Sequence, residues 1–204
     1  GLPSEDMWSF SAETDPGTKK IVCYALYRSA IYRSLDGGES FSKSSDGLPS
    51  TRWRHVVACP VTPRVAYASN FEGKFGVWKT TDAGATWKRV FWAGHEGIRW
   101  GWLGTDYTEG FGGRANCITV GPRDPNLLAY VNTGELFVTR DGGATWREGC
   151  SKYAGPDPDR IEKGQPWAGI GLEVALPTDM IWDPWIEDRV YLLYGDITFL
   201  VSTD

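Results

Sequence analysis

Two stretches of the chain carry the residue types that could do chemistry. Residues 91–114 hold Trp92, His95, Arg99, Trp100, Trp102, Asp106, Tyr107, Glu109 and Phe111. Residues 149–179 are polar and rich in Pro and Gly, and hold Tyr153, Asp157, Asp159, Arg160, Glu162, Lys163, Trp167 and Glu173. Indole and phenol rings stack on the apolar face of a pyranose while carboxylates hold its hydroxyls, so aromatics beside acids suit a sugar. Hydrolysis of a glycosidic bond needs two carboxyl groups about 5–5.5 Å apart for retention, or about 6.5–9.5 Å for inversion. Asp106, Glu109, Glu173 and Asp196 are the candidates for that catalytic pair. Trp92, Trp100, Trp102, Tyr107, Trp167 and Arg99 are the candidate ligand contacts. The bland alternatives stand beside these readings: a single Trp can pack an insert onto its scaffold, and a single acid can be a solvated loop residue. Arg99, Arg114 and Arg160 could clamp a substrate carboxylate, but no spacing ties them together.

Other chemistries lack their signatures. There is no GxSxG, P-loop, HExxH or GxGxxG. The four Cys (Cys23, Cys59, Cys117 and Cys150) form no CxxC pair, and only His55 and His95 are histidines, so no metal and no cofactor is expected. The acids between Gly155 and Glu162 lack the regular ligand spacing of a calcium loop. The cysteines read as scattered buried thiols, with one disulfide as the alternative. The net charge of −5 and the absence of a Lys/Arg-rich run exclude a basic nucleic-acid face. The longest nearly apolar runs, such as Val190 to Tyr194, fall far short of the roughly 20 residues that a membrane span requires. The first residues hold no apolar segment of the kind a signal peptide needs.

The elements that must position the candidate residues emerge from internal repeats. The box [ST]-x-D-x-G-x-[ST]-[WF] occurs at Ser34–Phe41, Thr80–Trp87 and Thr139–Trp146, and Ser202-Thr203-Asp204 begins a fourth copy. Its aspartates, Asp36, Asp82, Asp141 and Asp204, lie 46, 59 and 63 residues apart. Each box follows a short strand-like run, which follows a second run ending in Tyr24, Tyr67, Tyr130 or Tyr194, which follows a third closed by proline. A further strand can start after each complete box. Four short antiparallel strands per repeat, with 25 Gly and 12 Pro to turn them, read as propeller blades. Within the box the aspartate can accept backbone N–H bonds from its own turn, the glycine can take a positive φ, and the aromatic residue fills a blade interior. Asp36, Gly38, Phe41, Asp82, Gly84, Trp87, Asp141, Gly143, Trp146 and Asp204 are therefore structural. The expected blades are 1–46, 47–92, 113–150 and 178–204, in one domain over 1–204, with inserts 91–114 and 149–179. Blade topology puts the boxes on one face. It puts the inserts on the other, together with the second turns that carry Glu72, Glu135 and Asp196.

These boxes resemble the BNR or Asp-box repeat family of β-propellers, whose members include sialidases, xyloglucan-hydrolysing glycosidases, sortilin-type receptor ectodomains and a photosystem assembly factor. The Trp-rich inserts look most like those of the large bacterial glycosidase-like propellers. The first box departs from the pattern with Ser40-Phe41 in place of Thr-Trp. The resemblance implies an all-β partial propeller of about four blades, the last incomplete. It implies an extracytoplasmic module that binds carbohydrate and, if an enzyme, is a glycoside hydrolase. The alternative it carries is a non-catalytic protein-interaction scaffold or an assembly subunit. Three full blades and part of a fourth fall short of a closed ring, so the remaining blades of the same or another chain are an expected partner, with no nucleic acid and no membrane span.

Overall fold

The computed structural model describes residues 2–4, 6–27, 29–71, 76–92, 98–100, 115–132, 135–149, 151–155, 166–169, 177–187, 189–195 and 198–202. For 98–100, 151, 167, 177, 198–200 and 202 it describes the backbone alone. The first sheet is β1 (Met7–Thr14), β2 (Ile21–Tyr27), β3 (Ala30–Ser34) and β4 (Ser42–Ser44), and the second is β5 (Trp53–Ala58), β6 (Ala66–Asn70), β7 (Val77–Thr80) and β8 (Lys88–Phe91). After β9 (Ile98–Trp100), the third sheet takes β10 (Cys117–Val120), β11 (Leu128–Val131), β12 (Leu136–Thr139) and β13 (Trp146–Glu148). A hairpin of β14 (Ser151–Tyr153) and β15 (Trp167–Gly169) precedes the fourth sheet of β16 (Pro177–Trp182), β17 (Val190–Tyr194) and β18 (Thr198–Ser202). Neighbours within each sheet follow chain order and run antiparallel. The exception is β9, which lies parallel to β13 at the outer edge of the third sheet, Ile98 beside Trp146 and Trp100 beside Arg147. No helix among the described residues is long and apolar enough to cross a membrane.

The sheets stack face to face, so a central strand is buried on both sides and alternate residues serve different neighbours. On β6, Ala66 and Ala68 pack with Tyr24, Leu26 and Ile31 of the first sheet, whereas Tyr67 packs with Ile118, Leu128 and Tyr130 of the third. On β11, Leu128 and Tyr130 face the second sheet, and Ala129 and Val131 face Met180 and Leu192 of the fourth. The first strands lie side by side. The Ser9 hydroxyl of β1 accepts the Val56 amide of β5 (3.3 Å), Ser11 accepts Ala58 N–H (3.0 Å), and Cys117 Sγ of β10 donates to Asp179 Oδ1 of β16 (3.2 Å).

The box works as a local staple, with one feature beyond expectation. In the second copy Asp82 Oδ1 accepts the Thr86 amide (2.9 Å) and the Thr80 hydroxyl (2.8 Å), and Asp82 Oδ2 accepts the Thr86 hydroxyl (2.7 Å). The Thr80 hydroxyl in turn accepts the Gly84 amide (2.9 Å). The same set recurs around Asp36 with Ser34 and Ser40, and around Asp141 with Thr139 and Thr145. The two hydroxyl residues are thus ligands of the carboxylate, which explains why the motif demands Ser or Thr at both ends. Gly38, Gly84 and Gly143 all have positive φ. The box aromatic residue fills the gap towards the preceding sheet rather than its own blade interior. Trp87 Nε1 donates to Ser44 Oγ of β4 (2.8 Å), and Trp146 Nε1 donates to the Val90 carbonyl of β8 (2.8 Å). The fourth box aspartate, Asp204, lies outside the described residues.

Candidate functional site

Ladder register fixes which face each candidate residue leaves from. Val77, at the start of β7, pairs with Phe91 at the end of β8. Trp92 therefore departs on the face opposite the boxes, as does Gly149, whose amide donates to the Leu136 carbonyl (2.7 Å). The roots of both inserts share one face. The first insert does not stay there: Ile98–Trp100 runs down the rim beside β13, with Ile98 level with the box aromatic Trp146. Arg99 and Trp100 lie on that rim strand. The second insert contributes the β14–β15 hairpin, in which Trp167 pairs with the buried Tyr153.

Trp92 is half-buried, and the Arg89 guanidinium carbon lies 5.7 Å from its ring centroid and 5.1 Å from that of Trp78. A cation shared by two indoles fixes Trp92 at the root of the insert. Trp102, Asp106, Tyr107, Glu109, Glu173 and Asp196 lie outside the described residues. The structure therefore brings together the roots of the two inserts, while the proposed carboxylate pair falls in segments it does not describe.

The same face carries a buried polar group that the sequence did not single out as a unit. The Asn132 side chain accepts the Glu135 amide (2.7 Å) and donates to Glu135 Oε2 (2.9 Å). Asn70 repeats the first bond with Gly76 (2.9 Å). Asparagine at the end of the second strand is the sequence signal for this turn. Glu135, read above as an acid of the ligand face, is buried and committed to it. Nearby, the Tyr130 hydroxyl is buried without a hydrogen-bond partner, and burial followed by the Glu135 charge pushes its phenol upward.

At the inner strands His55, Cys117 and Asp179 approach one another. Burial, followed by the Arg54 charge, holds the His55 imidazole down to about 4. Burial and the bond to Asp179 push the Cys117 thiol up to about 12. A neutral imidazole beside a protonated thiol is the reverse of an activated Cys–His pair, so this cluster is polar packing. Cys23, Cys59 and Cys117 are free and buried. Among the described residues no group of three or more His, Cys, Asp or Glu could hold a metal ion.

The repeat tyrosines are not equivalent. Ser34, Thr80 and Thr139 open the boxes, and across the ladder from them stand Cys23, Ala66 and Leu128. The next residues are Tyr24, Tyr67 and Ala129. Tyr24 donates to the Pro63 carbonyl (2.8 Å) and Tyr67 to the Pro125 carbonyl (2.7 Å), each reaching the first turn of the following sheet. Tyr130 is one residue late and faces backwards. In the fourth sheet Tyr191, opposite Val201, holds the forward-facing place instead of Tyr194, and its hydroxyl donates to Asp183 Oδ2 (2.7 Å).

No family model and no curated protein matches this sequence. Solved structures do match in fold. An ancestral GH74 enzyme superimposes with a TM-score of 0.62 at 15% identity, covering 98% of this chain and 23% of that one. The GH74 enzyme of Niastella koreensis gives 0.58 at 13% identity, covering 97% and 23%. YCF48 from Cyanidioschyzon merolae gives 0.50 at 12% identity, covering 99% and 73%. The chain thus spans about a quarter of the length of the GH74 enzymes it resembles. At such identities the likeness is one of fold. Together with the stacked antiparallel sheets, it shows that this chain has the all-β fold of a partial β-propeller.

Proposed function

We propose that the chain is a ligand-binding propeller module whose two inserts present aromatic rings and carboxylates to carbohydrate outside the cytoplasm. The observation that supports this reading most is the shared origin of the inserts. Trp92 and Gly149 leave on one face, and β9 anchors the Trp100 segment to the third sheet. A loop tied down as a strand presents its neighbours with little ordering cost on binding. The fold likeness to GH74 enzymes agrees with a glycosidase-like scaffold. Hydrolysis would require two of Asp106, Glu109, Glu173 and Asp196 at the separations given above. The test is polysaccharide pull-down with Trp100→Ala and Trp102→Ala. Each is expected to weaken retention about tenfold or more. Undiminished retention in both removes the reading.

A second reading, an assembly scaffold, is favoured by the open outer faces of the first and fourth sheets. Met7, Phe10 and Ile21 are exposed on one, and Ile181, Leu193 and Val201 on the other. These faces suit further blades or a protein partner, and co-purification of such a partner with the native protein tests it.

A further inference from the structure

The inner strands β1 and β5 both begin on the insert face. Met7 pairs with Tyr27 beside the second turn of the first sheet, and Trp53 pairs with Asn70 beside that of the second. Where these two sheets meet on this face, two arginines each lie against two rings. The Arg54 guanidinium carbon is 5.8 Å from the Trp8 ring centroid and 5.3 Å from that of Phe71. Arg89 lies against Trp78 and Trp92 at the distances given above. Trp53 and Trp78, both buried and edge-on with centroids 5.1 Å apart, connect the two groups. Trp8, Arg54, Phe71, Arg89 and Trp92 are all half-buried. The row crosses the second sheet from its inner strand β5 to its outer strand β8, three strand spacings or about 14 Å.

Arg54 is a cation without an anion. Among the described residues no carboxylate pairs with it, and a ring face attracts its charge without accepting its in-plane N–H groups. Its Nε is buried without a hydrogen-bond partner, while its Nη atoms reach solvent. The charge is felt at the inner strands, where, after burial, it is the next cause of the lowered His55 value. Burial lowers Arg89 as well. A partly desolvated guanidinium gains more from a ligand anion than a fully hydrated one does, and its fork matches a carboxylate bidentately. The three half-buried rings offer apolar faces of the kind on which a pyranose stacks.

We propose that this junction binds an acidic glycan, with the carboxylate of a uronic acid on the Nη edge of Arg54 and the sugar rings along Trp8, Phe71 and Trp92. Arg89 adds a second positive charge further along the bound chain. This ligand class rests on the carbohydrate reading above and narrows it to an anionic rather than a neutral polysaccharide.

The test is calorimetric titration with tetragalacturonate and with its full methyl ester, which keeps the sugar rings and removes the charges. The free acid is expected to bind about tenfold more tightly than the ester, or better. Raised salt should weaken the acid and spare the ester. Arg54→Gln should cost the acid about tenfold and leave the ester unchanged. Arg54→Lys, which keeps the charge, should recover part of that loss. The comparison of acid with ester needs no variant, so it stands whether or not Arg54→Gln folds. An ester bound as tightly as the acid, or a folded Arg54→Gln that binds the acid like the parent, overturns the proposal and leaves the carbohydrate reading standing. A hexaglutamate peptide that binds as tightly as the uronate overturns it in favour of an acidic peptide. Failure of the acid to bind also overturns it, while the pull-down with the Trp100 and Trp102 variants decides the carbohydrate reading separately.

Discussion

Trp87 Nε1 donates to the Ser44 hydroxyl at 2.8 Å, and that hydroxyl donates onward to the Gly84 carbonyl at 2.6 Å. One serine on the outer strand of the first sheet thus clasps both the indole and the turn of the second sheet's box. Ser44→Ala leaves a buried N–H and a buried carbonyl without partners, at a cost of about 1–3 kcal/mol. Urea unfolding should show this as a lower midpoint. Ser45→Ala, one residue along and exposed, should leave the midpoint unchanged.

Two glycines of positive φ should respond differently to alanine. At Gly37 a methyl group meets nothing within 4 Å, so Gly37→Ala carries only backbone strain, about 1–2 kcal/mol. At Gly143, with φ of 100°, the methyl carbon would lie 2.6 Å from Val90 Cβ on the neighbouring sheet. Gly143→Ala should be the more destabilising of the two by thermal unfolding, because it adds a steric clash to the same strain.

Acid should weaken the fold in two separate windows. The folded His55 titrates near 4, against about 6.5 for a free imidazole. Between those values the unfolded chain binds a proton that the folded chain refuses, so stability falls as pH drops from about 6.5 towards 4. His55→Gln should flatten that slope in denaturant midpoints measured across the range. Desolvation works against ionisation of Asp82, but the Thr86 hydroxyl and amide and the Thr80 hydroxyl outweigh it and hold the carboxyl down to about 2. Its stabilising contribution is complete above the free-carboxyl value of about 3.9 and is lost as pH falls through 2. Asp82→Asn should make the low-pH loss of stability shallower without abolishing it, because the Asp36 and Asp141 carboxyls are held down by the same kind of bonds.

The native thiols should be inert. Burial raises Cys23, Cys59 and Cys117 alike, the last to about 12. Iodoacetamide at neutral pH is expected to label none of the three until denaturant opens the sheets. Mass spectrometry of native and unfolded samples reads this directly.

The box was legible because its bonds are local: every ligand of Asp82 lies within four residues of it. Strand order followed from the same repeats. The tyrosines misled, because a strand reverses its faces with every residue. Tyr130 reads like Tyr67 along the chain, yet the ladder opposite Thr139 makes Ala129 the true counterpart. The course of β9 was invisible for a different reason. Its pairing with β13 spans nearly fifty residues, and three residues, Ile98-Arg99-Trp100, carry no pattern that names a partner. The candidate acids had no spacing to begin with, so the sequence marked their loops and not their geometry.

Among the described residues, the third sheet differs from its neighbours in having its last ladder occupied by β9. An uncovered outer strand offers a row of free amides and carbonyls on which a foreign chain can template itself. On β13 that row is already taken, from within the same polypeptide. The edge that this sheet presents is now β9 itself, three residues long, and so short an edge offers little template for a foreign strand.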